Sequence, residues 1–365
     1  MLGKIIRDID PDKMNKRNSE GAFVKLKNGD LLYGYTRYGA DGVGDDDKAD
    51  LYGILSSDSG ESFGEPFLLF SAETVGADNI MSVSFLRLKN GDLGLIYLQK
   101  RNKIHSCVPY LAISRDEGKS WTKHIRCIED DGYYVLNNDR IIRLTNGRIL
   151  LPVALHGYEK HLGPGEIMTY ASDDDGMTWY NISGTIKLDA PVRRKEADDL
   201  RSCMEPGLVQ LEHGTVWCFI RTALGRQYET FSDDFGKTWS KIQPSPFTSP
   251  ASPMSVKKLK NGSLCAVWNP IPEYNGRNEF SGSVWLGGRS PFVIAVLDRD
   301  GDYPQEYKVF EDDDKRGFCY CAIYETENGD ILLGYCAGGE QDGSCLSKTR
   351  IRKIYREELG NNKAR

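Results

Sequence analysis

An eight-residue pattern, Ser-x-Asp-x-Gly-x-Ser/Thr-aromatic, occurs four times in this chain. The copies run 56–63, 114–121, 172–179 and 232–239, and their aspartates, Asp58, Asp116, Asp174 and Asp234, lie 58, 58 and 60 residues apart. A near-constant period of this size marks a repeat architecture, in which each unit buries its apolar face against its neighbours. The pattern has a local logic. The carboxylate accepts N–H bonds inside a tight turn, and Gly supplies the positive φ that the turn needs. The hydroxyl closes the same turn, and the aromatic residue opens the next strand with a large apolar face. These residue types describe a hairpin turn with a packing anchor rather than a catalytic group.

A second repeat is more complete. Asn-Gly, or once His-Gly, sits between apolar runs six times: Asn28-Gly29, Asn90-Gly91, Asn146-Gly147, His213-Gly214, Asn261-Gly262 and Asn328-Gly329. Asn-Gly between alternating hydrophobics is the strongest short-range hairpin signal. Each unit reads as strand, Asn-Gly turn, strand, loop, strand, Asp-containing turn, strand. Six such units predict an all-β, six-bladed β-propeller of sialidase-like type, one domain over residues 1–365. The fifth unit keeps a worn second turn at Asp298-Arg299-Asp300-Gly301, and the sixth shows none. The segments 4–7 and 349–354 are expected to share a blade and close the ring.

Composition narrows the function classes. The net charge is −6 and the Lys and Arg are scattered, which argues against a nucleic-acid partner. No apolar run approaches the roughly 18 residues of a membrane span, and residues 1–20 lack the apolar stretch of a signal peptide. No membrane partner is expected. The nine cysteines are an odd number, several lie in apolar strands, and none forms Cys-x-x-Cys. They read as buried thiols in a reducing cytoplasm, with no zinc site. GxGxxG, Walker and His-x-x-x-His patterns are absent, so no cofactor or metal is expected. The sequence leaves the oligomeric state open.

The first strand of each propeller blade lines the central axis. Residues eight before each turn then form a ring at one end of it: Glu20, Ser82, Asn138, Glu205, Pro253 and Tyr320. Around them fall Arg17, Arg37, Asn137, Asp139, Arg140, His156, Arg221 and Asn269. Charged groups beside an apolar axis are costly unless paired or bound to a ligand. Two readings stand side by side. In one, Glu205–Arg221 and Glu20–Arg37 are ion pairs that plug the channel. In the other, the funnel binds a ligand.

These motifs resemble the sialidase (neuraminidase) superfamily, with its Asp-box or BNR repeats, over nearly the whole chain. Met204-Glu205-Pro206-Gly207 followed by Phe219-Ile220-Arg221 is similar to a sialidase segment in which a Glu assists the nucleophile and an Arg grips the substrate carboxylate. Cys319-Tyr320-Cys321-Ala322-Ile323 is similar to the segment bearing the nucleophilic Tyr. Arg289, in Gly288-Arg289-Ser290-Pro291, matches another carboxylate-binding Arg. The loop from Asp41 to Asp47 falls where sialidases keep their acid/base Asp. The resemblance thus implies Tyr320 as nucleophile, Glu205 as its base, and Asp45, Asp46 or Asp47 as acid. Substrate contacts would come from Arg17, Glu20, Arg37, Asn138, Arg140, Arg221, Asn269 and Arg289.

The chemistry is coherent. An oxocarbenium-like transition state gains from a nearby nucleophile. Sialic acid carries its own carboxylate, so a neutral Tyr activated by Glu avoids like-charge repulsion. Arg binds both carboxylate oxygens through its fork. One segment departs from the pattern. Sialidases open their first blade with Arg-Ile-Pro, whereas here Arg17-Asn18-Ser19-Glu20 puts Ser19 in the Arg position with Glu20 beside it. The implied activity is an exo-acting retaining glycoside hydrolase for a terminal sialic acid or related acidic sugar on a glycan. Two alternatives remain at this stage: a hydrolase or lyase for a different sugar, or a non-catalytic carbohydrate-binding propeller.

Overall fold

The computed structural model describes residues 2–101, 106–157, 164–189 and 202–360. It is an all-β propeller built from antiparallel sheets. Asn18–Lys25, Leu31–Tyr38, Ala49–Ser56 and Phe67–Phe70 form one four-strand run. Asn79–Arg87, Leu93–Arg101, Ser106–Ser114 and Lys123–Arg126 form the next, and the single parallel pair Ala49↔Asn79 joins the two into an eight-stranded sheet. The third unit is five-stranded: Tyr134–Val135 and Ile142–Arg143 both pair with Ile149–Leu155, followed by Glu166–Ser172 and Tyr180–Ile186. Met204–Gln210, Val216–Arg221, Arg226–Ser232 and Gln243–Thr248 make the fourth. Ser255–Lys258, Leu264–Trp268, Phe292–Leu297 and Lys308–Glu311 make the fifth. The last sheet combines Cys319–Glu325, Ile331–Cys336 and Thr349–Ile354 with Lys4–Ile9, so the two end segments do share a sheet.

The turns form for the reasons visible in the sequence, with one change of type. All six turn glycines have positive φ, from 84° at Gly329 to 97° at Gly214, but the preceding Asn and His residues do not. In the first turn Gly29 N–H donates to Leu26 O at 3.0 Å and Leu26 N–H to Asp30 O at 2.8 Å. This is a type I turn with a left-handed Gly bulge, not the two-residue mirror-image turn that Asn-Gly most often signals. The Asn side chain has its own task. Asn28 Oδ1 accepts Asp30 N–H at 3.1 Å, and Asn90, Asn146 and Asn261 repeat the bond two residues ahead.

Neighbouring units are stitched at these turns. The N–H just before Asn-Gly donates to a side chain of the following unit: Lys27 to Glu117 at 2.9 Å, Lys89 to Asp175 at 2.7 Å, Thr145 to Gln210 at 2.8 Å and Lys260 to Glu325 at 2.6 Å. Six apolar clusters lie between the sheets, each drawing on two consecutive units, and the last joins the final unit to the first. Burial is thus shared around the ring, as a repeat architecture requires.

The four Asp-box aspartates sit on peripheral turns and satisfy them. Asp116 accepts Ser120 Oγ–H at 2.6 Å, Ser120 N–H at 2.8 Å and Ser114 Oγ–H at 2.8 Å. The worn copy works in part, since Asp298 Oδ1 accepts the N–H groups of Asp300 and Asp302 at 3.1 and 3.0 Å. The Ser120 bonds pull the Asp116 carboxyl down to about 2. A carboxyl lowered by folding stabilises the native state above its unfolded value near 4, and that contribution disappears as pH falls toward 2. Asp116→Asn should therefore be less stable than wild type at pH 6, and the gap should narrow at pH 3. Urea unfolding at the two pH values measures this, and a gap independent of pH would show that the charged form contributes nothing.

Candidate active site

Each inner strand interrupts its ladder at one height. The pairing register slips between Ser19 and Ala22, Met81 and Ser84, Met204 and Gly207, and Cys319 and Ala322. Within these bulges Glu20, Ser82, Glu205 and Tyr320 have φ of 56°, 64°, 44° and 55°. A bulge re-aims a side chain by adding one residue to a strand. Left-handed backbone costs a non-glycine residue on the order of 1–2 kcal/mol, so the surrounding strands must hold it. In the third unit the left-handed residue is Asp139, with φ of 56°, one beyond the Asn138 expected from the spacing. In the fifth it is missing, because the ring of Pro253 forbids positive φ.

Two of these bulges bring the expected pair together. Tyr320 Oη–H donates to Glu205 Oε1 at 3.0 Å. Arg221 Nη1 donates to Glu205 Oε2 at 2.8 Å and lies 3.4 Å from Tyr320 Oη. Arg289 Cζ sits 5.4 Å from the centre of the Tyr320 ring and 4.7 Å from that of Trp285. Tyr320, Glu205 and Arg289 are buried. Burial and the Glu205 charge both push the Tyr320 phenol upward, against Arg221 and Arg289. The phenol therefore rests protonated, with a carboxylate placed to take its proton.

Arg289 has a partner that sequence reasoning overlooked. Its Nη1 donates to Cys319 Sγ at 3.0 Å. Burial opposes ionisation of Cys319, but hydrogen bonds from Cys336 and Cys345 together with Arg289 hold this thiol well below its ordinary value. The signal was available, because Cys319 adjoins Tyr320 and its cross-strand partner is Cys336. All nine cysteines are buried thiols.

On the opposite side stands a second charged group. Arg17 is buried and donates to Asp45 Oδ1 at 2.7 Å, Ser19 Oγ at 3.0 Å and Glu20 Oε2 at 3.3 Å, with its guanidinium 4.4 Å from the Tyr38 ring centre. The expected Glu20–Arg37 pair is thus replaced by Glu20–Arg17. Arg37 instead packs on the Tyr52 ring at 4.7 Å and faces Asp12 at 4.0 Å, away from Tyr320. The loop aspartates differ from one another. Asp45 is bound by Arg17, while Asp46 Oδ1 accepts Tyr133 Oη–H at 3.3 Å and lies 3.4 Å from Lys100 Nζ. Asp47 Oδ2 accepts Gly44 N–H at 2.7 Å and caps its own turn.

Three further expected contacts serve the scaffold. Asn138 Nδ2 donates to Gly21 O at 2.6 Å and Tyr320 O at 3.2 Å, tying three units across the axis. Arg140 donates to Met254 O at 2.7 Å and packs on Phe219 at 5.1 Å, where burial brings its guanidinium down to about 10. Asn269 donates to Pro291 O at 3.0 Å and accepts Ser252 Oγ–H at 2.7 Å. Their amides and guanidinium are engaged with backbone or neighbouring side chains rather than directed at Tyr320. The sequence also missed the clamp at Asp139, which accepts Lys257 Nζ at 2.6 Å.

Comparison with known proteins fits this geometry. Residues 75–333 match the family described as BNR repeat-like domain, and the chain belongs to that family. No curated protein matches it in sequence. Among solved structures it is similar to a protein of unknown function from Dyadobacter fermentans, with TM-score 0.72, 18% identity, 97% of this chain and 99% of that one covered. It is also similar to the NanB sialidase of Streptococcus pneumoniae, with TM-score 0.68, 13% identity and 98% and 71% covered. A third is the intramolecular trans-sialidase of Ruminococcus gnavus, with TM-score 0.64, 14% identity and 99% and 98% covered. At such identities the likeness is one of fold.

The cross-axis strut gives a direct test. Asn138→Ala removes both bonds and leaves the buried carbonyls of Gly21 and Tyr320 without those donors. A loss of about 1–3 kcal/mol is expected for such a group, read by urea unfolding. An unchanged midpoint would show that the amide is not structural.

Proposed function

We propose that this protein is an exo-acting retaining glycoside hydrolase on a six-bladed propeller. The blade count takes the eight-stranded sheet as two blades, because its halves meet at one residue pair and a separate apolar cluster packs between them. The observation that carries the reaction is the hydrogen-bonded unit of Tyr320, Glu205 and Arg221. Tyr320 attacks the anomeric carbon while its proton passes to Glu205, giving a glycosyl–tyrosine intermediate that water then hydrolyses. Arg221 steadies Glu205 and the phenolic oxygen. A donor acid protonates the leaving oxygen.

The substrate follows from the cations. Arg221 and Arg289 both neighbour Tyr320, and the Nε–H of each is buried without an acceptor in the structure. These two suit an acidic or oxygen-rich group on the sugar. A second reading, a sugar without the sialic carboxylate, is favoured by Glu20. At roughly 4 Å and an effective dielectric of about 20, two like charges repel by on the order of 4 kcal/mol, and Arg17 is already divided between Glu20 and Asp45. Such a sugar places a hydroxyl where a carboxylate would meet Glu20.

A panel of chromogenic sialosides, uronosides and neutral glycosides tests both readings. Tyr320→Phe should remove most turnover on whichever substrate the wild type cleaves, with the unfolding transition retained. Near-normal activity would end the tyrosine assignment. Arg221→Ala should lose roughly 10- to 150-fold in kcat/KM, the equivalent of one charge-assisted hydrogen bond of about 1.5–3 kcal/mol. A loss confined to acidic substrates supports carboxylate binding, and an equal loss on all classes assigns Arg221 to Glu205 alone.

A further inference from the structure

We propose that Glu20, rather than an aspartate of the 41–47 loop, is the group that protonates the leaving oxygen and later activates water. This rests on the reading of the site as a retaining glycosidase. The three loop aspartates are otherwise engaged. Asp45 is ion-paired with Arg17 at 2.7 Å, Asp46 is held by Lys100 and Tyr133, and Asp47 caps Gly44. Asp45 also has nearly half of its side chain in solvent, where a carboxyl stays ionised at neutral pH.

Glu20 differs in every respect. It sits on the same inner-strand bulge position as Glu205 and Tyr320, so the backbone delivers all three side chains to one level of the axis. Its side chain is 6% exposed. Ser19 Oγ–H and Arg17 Nη2 hold Oε2 at 3.0 and 3.3 Å, which fixes the carboxyl while Oε1 makes no bond to any described residue. Burial pushes this carboxyl up to about 7, and Arg17 opposes it while the charges of Asp45 and Glu205 add to it. Tyr38, Tyr320 and Cys336 complete the titratable surroundings. Two carboxyls whose environments set them apart, one ionised beside an arginine and one protonated in a buried site, form the usual division into base and acid.

The steps balance. In the first, the C–O bond to the leaving group breaks as Tyr320 O bonds the anomeric carbon. The Glu20 proton goes to the leaving oxygen and the Tyr320 proton to Glu205. In the second, water attacks the anomeric carbon, its proton returns to Glu20, and the Tyr320–carbon bond breaks as Glu205 reprotonates the phenol.

Leaving-group dependence tests this on the intact protein. For a substrate that the wild type cleaves, Glu20→Gln should lower kcat/KM by about 10²- to 10⁴-fold with an alkyl leaving group, the range of general acid catalysis. With a dinitrophenyl leaving group, which departs without protonation, the loss should be within a few-fold. Glu20 must be protonated to act, so the wild-type rate on the alkyl glycoside should fall as pH rises through about 7. That basic limb should vanish in Glu20→Gln. Asp45→Asn should affect both leaving groups alike. Equal losses for the two leaving groups in Glu20→Gln, or a selective loss in Asp45→Asn, would overturn the assignment while leaving Tyr320 in place. If Tyr320→Phe retains activity, or no glycoside is cleaved, the glycosidase reading falls and this one with it.

Discussion

The site depends on a backbone irregularity repeated around the axis. Regular strands would point successive side chains alternately into the two faces of each sheet. The bulges at Glu20, Ser82, Glu205 and Tyr320 break that alternation at one level and turn a side chain to the axis instead. Each is a strained residue that persists because the structure around it is over-determined, and such strain tends to gather at functional sites. Here the over-determination is visible. Asn138 grips the carbonyl of Tyr320 itself, and Gly21, next to Glu20, allows no Cβ because Tyr33 and Gly34 O lie within 2.5 Å of where it would stand.

The charges of the funnel are organised as two local groups facing one another. On one side Arg221 and Arg289 flank Glu205, Tyr320 and the Cys319 thiol. On the other Arg17 bridges Glu20 and Asp45. Burying an ion is costly unless a partner accompanies it, and each arginine here has one. The ion-pair reading and the ligand-binding reading of the sequence therefore describe the same residues, because paired charges also pre-organise a pocket.

Much of this architecture was legible beforehand. The Asn-Gly and Asp-box periods located the hairpins, since turn chemistry is local and depends on residues within a few positions. The pairing of Lys4–Ile9 with Thr349–Ile354 and the meeting of Glu205, Arg221 and Tyr320 also followed from the repeat. What failed was long-range or depended on a one-residue shift. Asp139 rather than Asn138 took the left-handed position because the first strand of the third unit is split into Tyr134–Val135 and Ile142–Arg143. Glu20 chose Arg17, three residues away, over Arg37 on the adjacent strand, because a bulge changes which face a side chain meets. The Cys319–Arg289 contact joins two units, and composition gave no hint of it.

The sheet shared by the two end segments has a mechanical meaning. Lys4 lies opposite Lys353 and Ile9 opposite Thr349, so the outermost residues of both segments emerge from the same end of the ladder. A force drawing residue 4 away from residue 354 opens this pair like a zipper, one hydrogen bond after another, instead of loading all its bonds at once in shear. Once it is open, the inner strands on either side lose the seam that closes the ring. The propeller should be soft to tension applied at these two points, and stiff to the same tension applied across any hairpin made by a single unit.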